Sequence, residues 1–177
     1  MNTERYRRSI RLPYYNYSRP GAYFVTICAH NHRCLFGKSY EDKVMLNDAG
    51  IMIKKWYEAL VTRFEGLVCD DFVCMPNHVH FIIFLNQQSQ RKIGQAHWPA
   101  PTQVSLFDVV HWFKTMTTNG YIKGVKEEGW MRFEKRLWQR NYWERVIRNE
   151  AELQKFRSYI GTNPLRWNLD KLNPVNQ

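Results

Sequence analysis

Residues 75–85 read Met-Pro-Asn-His-Val-His-Phe-Ile-Ile-Phe-Leu. His78 and His80 flank one apolar residue at the head of a strongly apolar run, which reads as a β-strand. Residues i and i+2 of a strand point to the same face, so both imidazoles project side by side, a geometry suited to holding one metal ion. Tyr159 and Asn163 lie four residues apart in a stretch of helical spacing, and therefore share a helix face. Two imidazoles, a phenol and an amide oxygen are the parts of a metal-assisted phosphodiester transesterase. A free phenol has a pKa near ~10, so only about one in a thousand is phenolate at neutral pH. A divalent cation would polarise the phosphate and orient it, and the tyrosine could then form a covalent phosphotyrosine bond. Asn163 can supply an oxygen ligand one turn beyond Tyr159. Two histidines plus an amide leave open positions for phosphate or water, a mixed set that Mg²⁺ or Mn²⁺ tolerates.

Each feature has a plainer competitor. Paired histidines can be core residues satisfied by hydrogen bonds. Here, however, residues 79–85 are otherwise all apolar, and one cation would satisfy both rings. Tyr159 can be a helix tyrosine packing its ring, with Asn163-Pro164 as a helix stop, and spacing alone leaves that reading open. His30-Asn31-His32 repeats the pattern but follows a strand and runs into Arg33, so an exposed turn is expected there. A histidine-triad nucleotide hydrolase would need a third histidine where this chain has Ile82.

Four strands and three helices must position these groups. The spacing predicts strands over 23–29, 67–75, 78–85 and within 136–147, with Pro76-Asn77 as a turn before the histidines. Segments 34–36 and 43–46 suggest a short hairpin. Helices are expected over 51–64, entered through Asn47-Asp48-Ala49-Gly50, over 105–123 with Ser105 as cap, and from Asn149 to about 162 before Pro164. Glu152 stands at a capping-box position for the last helix. Residues 86–102 read as an exposed, mobile loop, and 124–132 as another. The fold class is α+β: a ferredoxin-like βαββαβ antiparallel sheet with helices on one face, plus a C-terminal helix carrying Tyr159. One domain spans 1–177, with 1–21 a basic arm and 165–177 a tail packed through Trp167 and Leu169.

Composition narrows the partner. A hydrophobic content of 44% is too high for disorder, yet no run of 18 apolar residues could span a membrane. No secretory signal opens the sequence, so a cytoplasmic protein is expected. The four cysteines, Cys28, Cys34, Cys69 and Cys74, form no Cys-x-x-Cys pair and read as reduced thiols. A formal charge of +10 favours a polyanion. Cations also interleave with aromatic rings, in Arg5-Tyr6-Arg7-Arg8, from Arg11 to Tyr17, and through Arg136-Leu137-Trp138-Gln139-Arg140-Asn141-Tyr142-Trp143. Single-stranded nucleic acid takes that mixture, cations for phosphates and ring faces for unstacked bases. Most of the tryptophans are nonetheless expected in the core.

Several segments resemble the HUH single-strand nucleases, and more closely the REP-associated tyrosine transposases. They are Arg8-Ser9-Ile10-Arg11-Leu12, the run from Pro20 to Cys28, Met75-Pro76-Asn77-His78-Val79-His80, the run from Leu137 to Asn149, and Tyr159-Ile160 ahead of Asn163-Pro164-Leu165-Arg166-Trp167. The resemblance implies that His78, His80 and Asn163 hold the cation. It implies that Tyr159 is the nucleophile, leaving a 5′-phosphotyrosine and a free 3′-hydroxyl. The substrate would be single-stranded DNA carrying palindromic hairpins. The N-terminal arm and the Trp138-Gln139-Arg140 box would lie near the DNA, with Arg7, Arg8, Arg11, Trp138, Arg140, Arg145 and Arg148 as candidate contacts. Arg145 stands where the family often has His. Monomer and homodimer both stay open. The rival reading is a domesticated hairpin-binding protein with weak or lost catalysis. A replication or conjugation initiator of the same class would need helicase or multimerisation domains for which 177 residues leave no room.

Overall fold

The computed structural model describes residues 14–87, 90–91 and 103–176. Its centre is a four-stranded antiparallel sheet built from β1 (Gly21–Cys28), β5 (Val68–Cys74), β6 (His78–Leu85) and β8 (Trp143–Ile147), in the spatial order β5-β6-β1-β8. Two small ribbons complete the strands: β2 (Gly37–Tyr40) pairs with β3 (Lys43–Leu46), and β4 (Phe64–Glu65) pairs with β7 (Gln90–Arg91). The helices are α1 (Asp48–Glu58), the single turn α2 (Leu60–Arg63), α3 (Leu106–Glu127) and α4 (Glu150–Thr162). The α+β class and the antiparallel sheet are as the sequence predicts.

Alternation along the strands divides the molecule into two layers of packing. Tyr23, Val25 and Ile27 of β1, with Val79, Phe81 and Ile83 of β6, face the main core, together with Ile53 and Tyr57 of α1 and Val109, Val110 and Phe113 of α3. Ala22 and Phe24, with Ile82 and Ile147, face the other way and receive Leu153 and Ile160 of α4, with Phe156 packed alongside. Burying Leu153 and Ile160 there contributes roughly 1.5–3 kcal/mol each. The register Thr26↔His80 and Cys28↔His78 puts both histidines on this second face, under α4.

Several boundaries differ from the sequence expectation for identifiable reasons. The hairpin strand is Gly37–Tyr40 rather than 34–36, because Glu41 and Asp42 both take positive φ and form the tight turn. Leu35 and Phe36 are buried in the core instead. The first helix breaks at Ala59, and Phe64 joins a strand with Arg91. α3 runs past Gly124 to Glu127; the segment after it folds back, with Trp130 N–H donating to the Gly124 carbonyl at 3.3 Å. Ser105 caps α3 as expected, and Asp108 completes a capping box. Asn149 caps α4 through Glu152 N–H, but the Glu152 carboxylate reaches back to Arg148 N–H rather than to the cap itself. Only 143–147 of the expected 136–147 strand pairs fully. Leu137 and Trp138 are both buried, which breaks the alternation, and Ala29 meets Trp138 in an isolated bridge. Trp167 is buried, but Leu169 is 85% exposed and does not anchor the tail. The expected loop 86–102 lies mostly outside the described residues. Among the described residues no helix is long and apolar enough to cross a membrane.

Candidate active site

β6 and α4 bring the sequence-predicted groups to one place. The rings of His78 and His80 are 4.6 Å apart. The Tyr159 hydroxyl approaches His80 Nε2 at 3.5 Å, and its ring meets that of His80 at 5.1 Å. Phe24 stacks on His80 on one side and on Phe156 on the other, and touches the edge of Tyr159, so β1 and α4 jointly fix the phenol over the histidines. Both histidines and Asn163 are buried, whereas Tyr159 is 37% exposed. The phenol therefore sits at the mouth of the site with the nitrogen and amide groups behind it.

The tautomer of His78 follows from its neighbour. Asn77 donates both Nδ2 protons to carbonyls, those of His32 at 2.9 Å and Leu172 at 2.7 Å. Its Oδ1 faces His78 Nδ1 at 2.8 Å and can only accept, so His78 carries its proton on Nδ1. Nε2 is left with a buried lone pair and no hydrogen-bond partner. Thr26 Oγ1 holds His80 Nδ1 at 2.7 Å in a buried contact, and with the hydroxyl accepting from Nδ1–H the Nε2 lone pair would be turned toward the same point. The Asn163 amide bears on both His78 and Tyr159, yet its Oδ1 makes no hydrogen bond of proper geometry. Buried acceptors without donors are rare and cost about 1–3 kcal/mol each, so two converging here fit a positively charged guest.

Burial pulls the His78 pKa down to about 3, opposed by Asn163 and reinforced by His32. His80 is likewise held well below its usual value, by burial and then by His78. Both rings are thus neutral at physiological pH, the form that ligates metal. Burial raises the Tyr159 pKa, as does the Asp170 carboxylate, while Asn163 and Arg166 pull it the other way. In the metal-free protein the phenol is a poor nucleophile.

Two contributors were missed in the sequence. Asp170 follows the 3₁₀ turn Pro164–Leu169, and its Oδ2 lies 3.9 Å from His78 Nε2. Its Oδ1 accepts from Leu172 N–H at 2.8 Å, which fixes the carboxylate. Ligand atoms of His78, His80 and Asp170 all lie within 4.8 Å of one another, a group that could hold a metal ion. Nothing in the spacing around Asp170 signals this. The other is His32, expected in an exposed turn. Positive φ at Asn31 and His32 folds that turn inward, His32 Nε2 contacts Gln139 Nε2 at 2.9 Å, and its Nδ1 is buried without a partner.

The DNA-contact candidates fare unequally. Arg7, Arg8 and Arg11 lie outside the described residues. Arg140, Arg145 and Arg148 are exposed. Trp138 is not: it is 3% exposed, its indole N–H donates to Thr117 Oγ1 at 2.9 Å, and its ring packs on Phe36 and Phe113. It is a core residue with no face free for a base.

No protein-family model matches the chain. The fold is that of the REP-associated tyrosine transposases: one such protein, solved bound to a REP hairpin, superposes with a TM-score of 0.59 at 18% identity, over 91% of this chain and 77% of its own. The chain belongs to the family of a Haemophilus influenzae protein described only as uncharacterized, with which it is 36% identical over 172 residues, 94% of this chain and 93% of the relative.

Proposed function

We propose that this protein is a metal-dependent single-strand DNA endonuclease and strand transferase acting on palindromic hairpin DNA. The observation that carries the reading is the meeting of the Tyr159 phenol with two buried, unpartnered acceptors, His78 Nε2 and Asn163 Oδ1, beside His80. His78, His80 and Asn163 would hold Mg²⁺ or Mn²⁺, with Asp170 as a nearby carboxylate that lowers the charge of the filled site. The cation supplies Lewis-acid polarisation of the phosphate and favours the phenolate.

The chain's own residues do the rest. Phe24 and Phe156 orient the Tyr159 ring, and its partial exposure leaves the hydroxyl open to a phosphodiester. The phenolic oxygen attacks phosphorus and the bond to the 3′-oxygen breaks. The phenol loses its proton, and the departing oxygen takes one up as a 3′-hydroxyl. The product is a 5′-phosphotyrosine on Tyr159. One ester replaces another, so a 3′-hydroxyl can reverse the step and rejoin strands. The REP hairpin on the protein sharing this fold, together with the +10 charge, supports hairpin DNA as the substrate.

The test is incubation of purified protein with palindromic single strands and Mn²⁺, resolved on a denaturing gel. The wild type gives a covalent protein–DNA adduct. Tyr159→Phe gives none while retaining hairpin binding. An adduct formed by that variant would refute the assignment of the nucleophile.

A further inference from the structure

β8 is an edge strand, and its first half is left uncovered on the face that carries the histidines. The register pairs Thr26 with both His80 and Trp143, and Phe24 with both Ile82 and Arg145. Trp143 and Arg145 therefore project from the same sheet face as His78 and His80. α4 packs over β5 and β6, and Ile147 at the far end of β8 is buried in its apolar contact. Trp143 is left 60% exposed, and Arg145 and Arg148 are exposed as well. Among the described residues Trp143 is the only exposed tryptophan, and none of them forms an ion pair with Arg145.

We infer that Trp143 and Arg145 form a track for unpaired nucleotides next to the reacting phosphate, with Trp143 stacking a base and Arg145 meeting the backbone. The inference rests on the proposed function for the identity of the reaction, but the binding surface stands on its own geometry. Trp143 lies two strands across from His80, a separation of about 10 Å between backbones. An extended single strand leaving Tyr159 along the open side of the sheet would cross β8 within its first few unpaired nucleotides. An exposed ring flanked by cations is what such a strand recognises, because every base has a π-face and every linkage a charge. A second copy of this chain pairing along the β8 edge is the other candidate occupant. The +10 charge and the arginines on that edge oppose it by like-charge repulsion. Duplex DNA does not fit either, since its bases offer no free face to the ring.

The test compares wild type, Trp143→Ala and Trp143→Phe on hairpins that carry an unpaired flank, with and without an abasic site at successive flank positions. Affinity is read by fluorescence anisotropy in EDTA, and cleavage with Mn²⁺ is read as separate KM and kcat. Trp143→Ala should bind the flanked hairpin roughly ten-fold or more weakly and raise KM with little change in kcat, while Trp143→Phe recovers most of the loss. One abasic position should weaken the wild type and leave Trp143→Ala unaffected, which locates the stacked base. Equal affinity of Trp143→Ala and wild type for the flanked hairpin overturns the track. So does a Trp143-dependent change in oligomeric state on gel filtration with no effect on flank binding. Trp143-dependent flank binding in a wild type that forms no adduct supports the track and removes the proposed catalysis instead.

Discussion

Replacing Thr26 by Val tests whether the histidines are held as ligands or merely buried. Thr26 is 7% exposed, and its hydroxyl sits 2.7 Å from His80 Nδ1. Val keeps the volume and removes the acceptor. A buried Nδ1–H without a partner costs about 1–3 kcal/mol. The imidazole can escape that cost by moving its proton to Nε2, which faces Tyr159 at 3.5 Å. The escape leaves the fold nearly intact, but it points a proton at the proposed cation site. Binding a cation then requires the unfavourable tautomer, so affinity should fall by about 10–100-fold, or roughly 1.4–2.8 kcal/mol. Calorimetric titration with Mn²⁺ measures the affinity, and thermal unfolding in EDTA measures the apo stability. Thr26→Ser should restore most of the affinity. If Thr26→Val binds Mn²⁺ within about two-fold of wild type, the Nε2 lone pair of His80 is not a ligand and the proposed donor set is wrong.

Two further outcomes follow from the same geometry. In metal-free protein His78 titrates near pH 3 and His80 well below its usual value, whereas the unfolded chain takes up these protons near pH ~6.5. The unfolded state binds more protons between those limits. Apo stability should therefore hold above pH ~6.5 and fall below it by about 1.4 kcal/mol per unit through His78, down to about pH 3, with His80 adding to the fall in the same direction, read by urea unfolding in EDTA; a flat profile would contradict buried neutral rings. Trp138→Phe should lower stability by about 1–2 kcal/mol through the lost indole–Thr117 bond and some packing, yet leave hairpin affinity unchanged, because Trp138 is a core ring.

Much of the site was legible because its parts are local. The i, i+2 spacing of His78 and His80 fixes a shared face once a strand forms, and the i, i+4 spacing of Tyr159 and Asn163 fixes a shared helix face. The caps at Asn47, Ser105 and Asn149 were equally readable, since a cap is set by one side chain and the next turn of backbone. The cation–aromatic run 136–143 was legible only as a composition. Its two tryptophans look alike in sequence, yet Trp138 is buried against Phe36 and Phe113 while Trp143 faces solvent on the sheet face that carries the histidines. That difference is decided by where pairing with β1 begins, a long-range choice that local spacing does not encode.

What the sequence alone determined is therefore the pairs of chemically competent groups and the elements that carry them. What only the tertiary structure decided is their meeting. Thr26 reaches His80 from the neighbouring strand, Asn77 ties the His32 turn and the tail to His78, and Asp170 arrives from the C-terminal segment. Each of these contacts joins residues far apart in sequence and depends on strand register, on the packing of α4 and on the path of the tail. Periodicity reports which face a side chain occupies; only the packed core fixes what stands opposite that face.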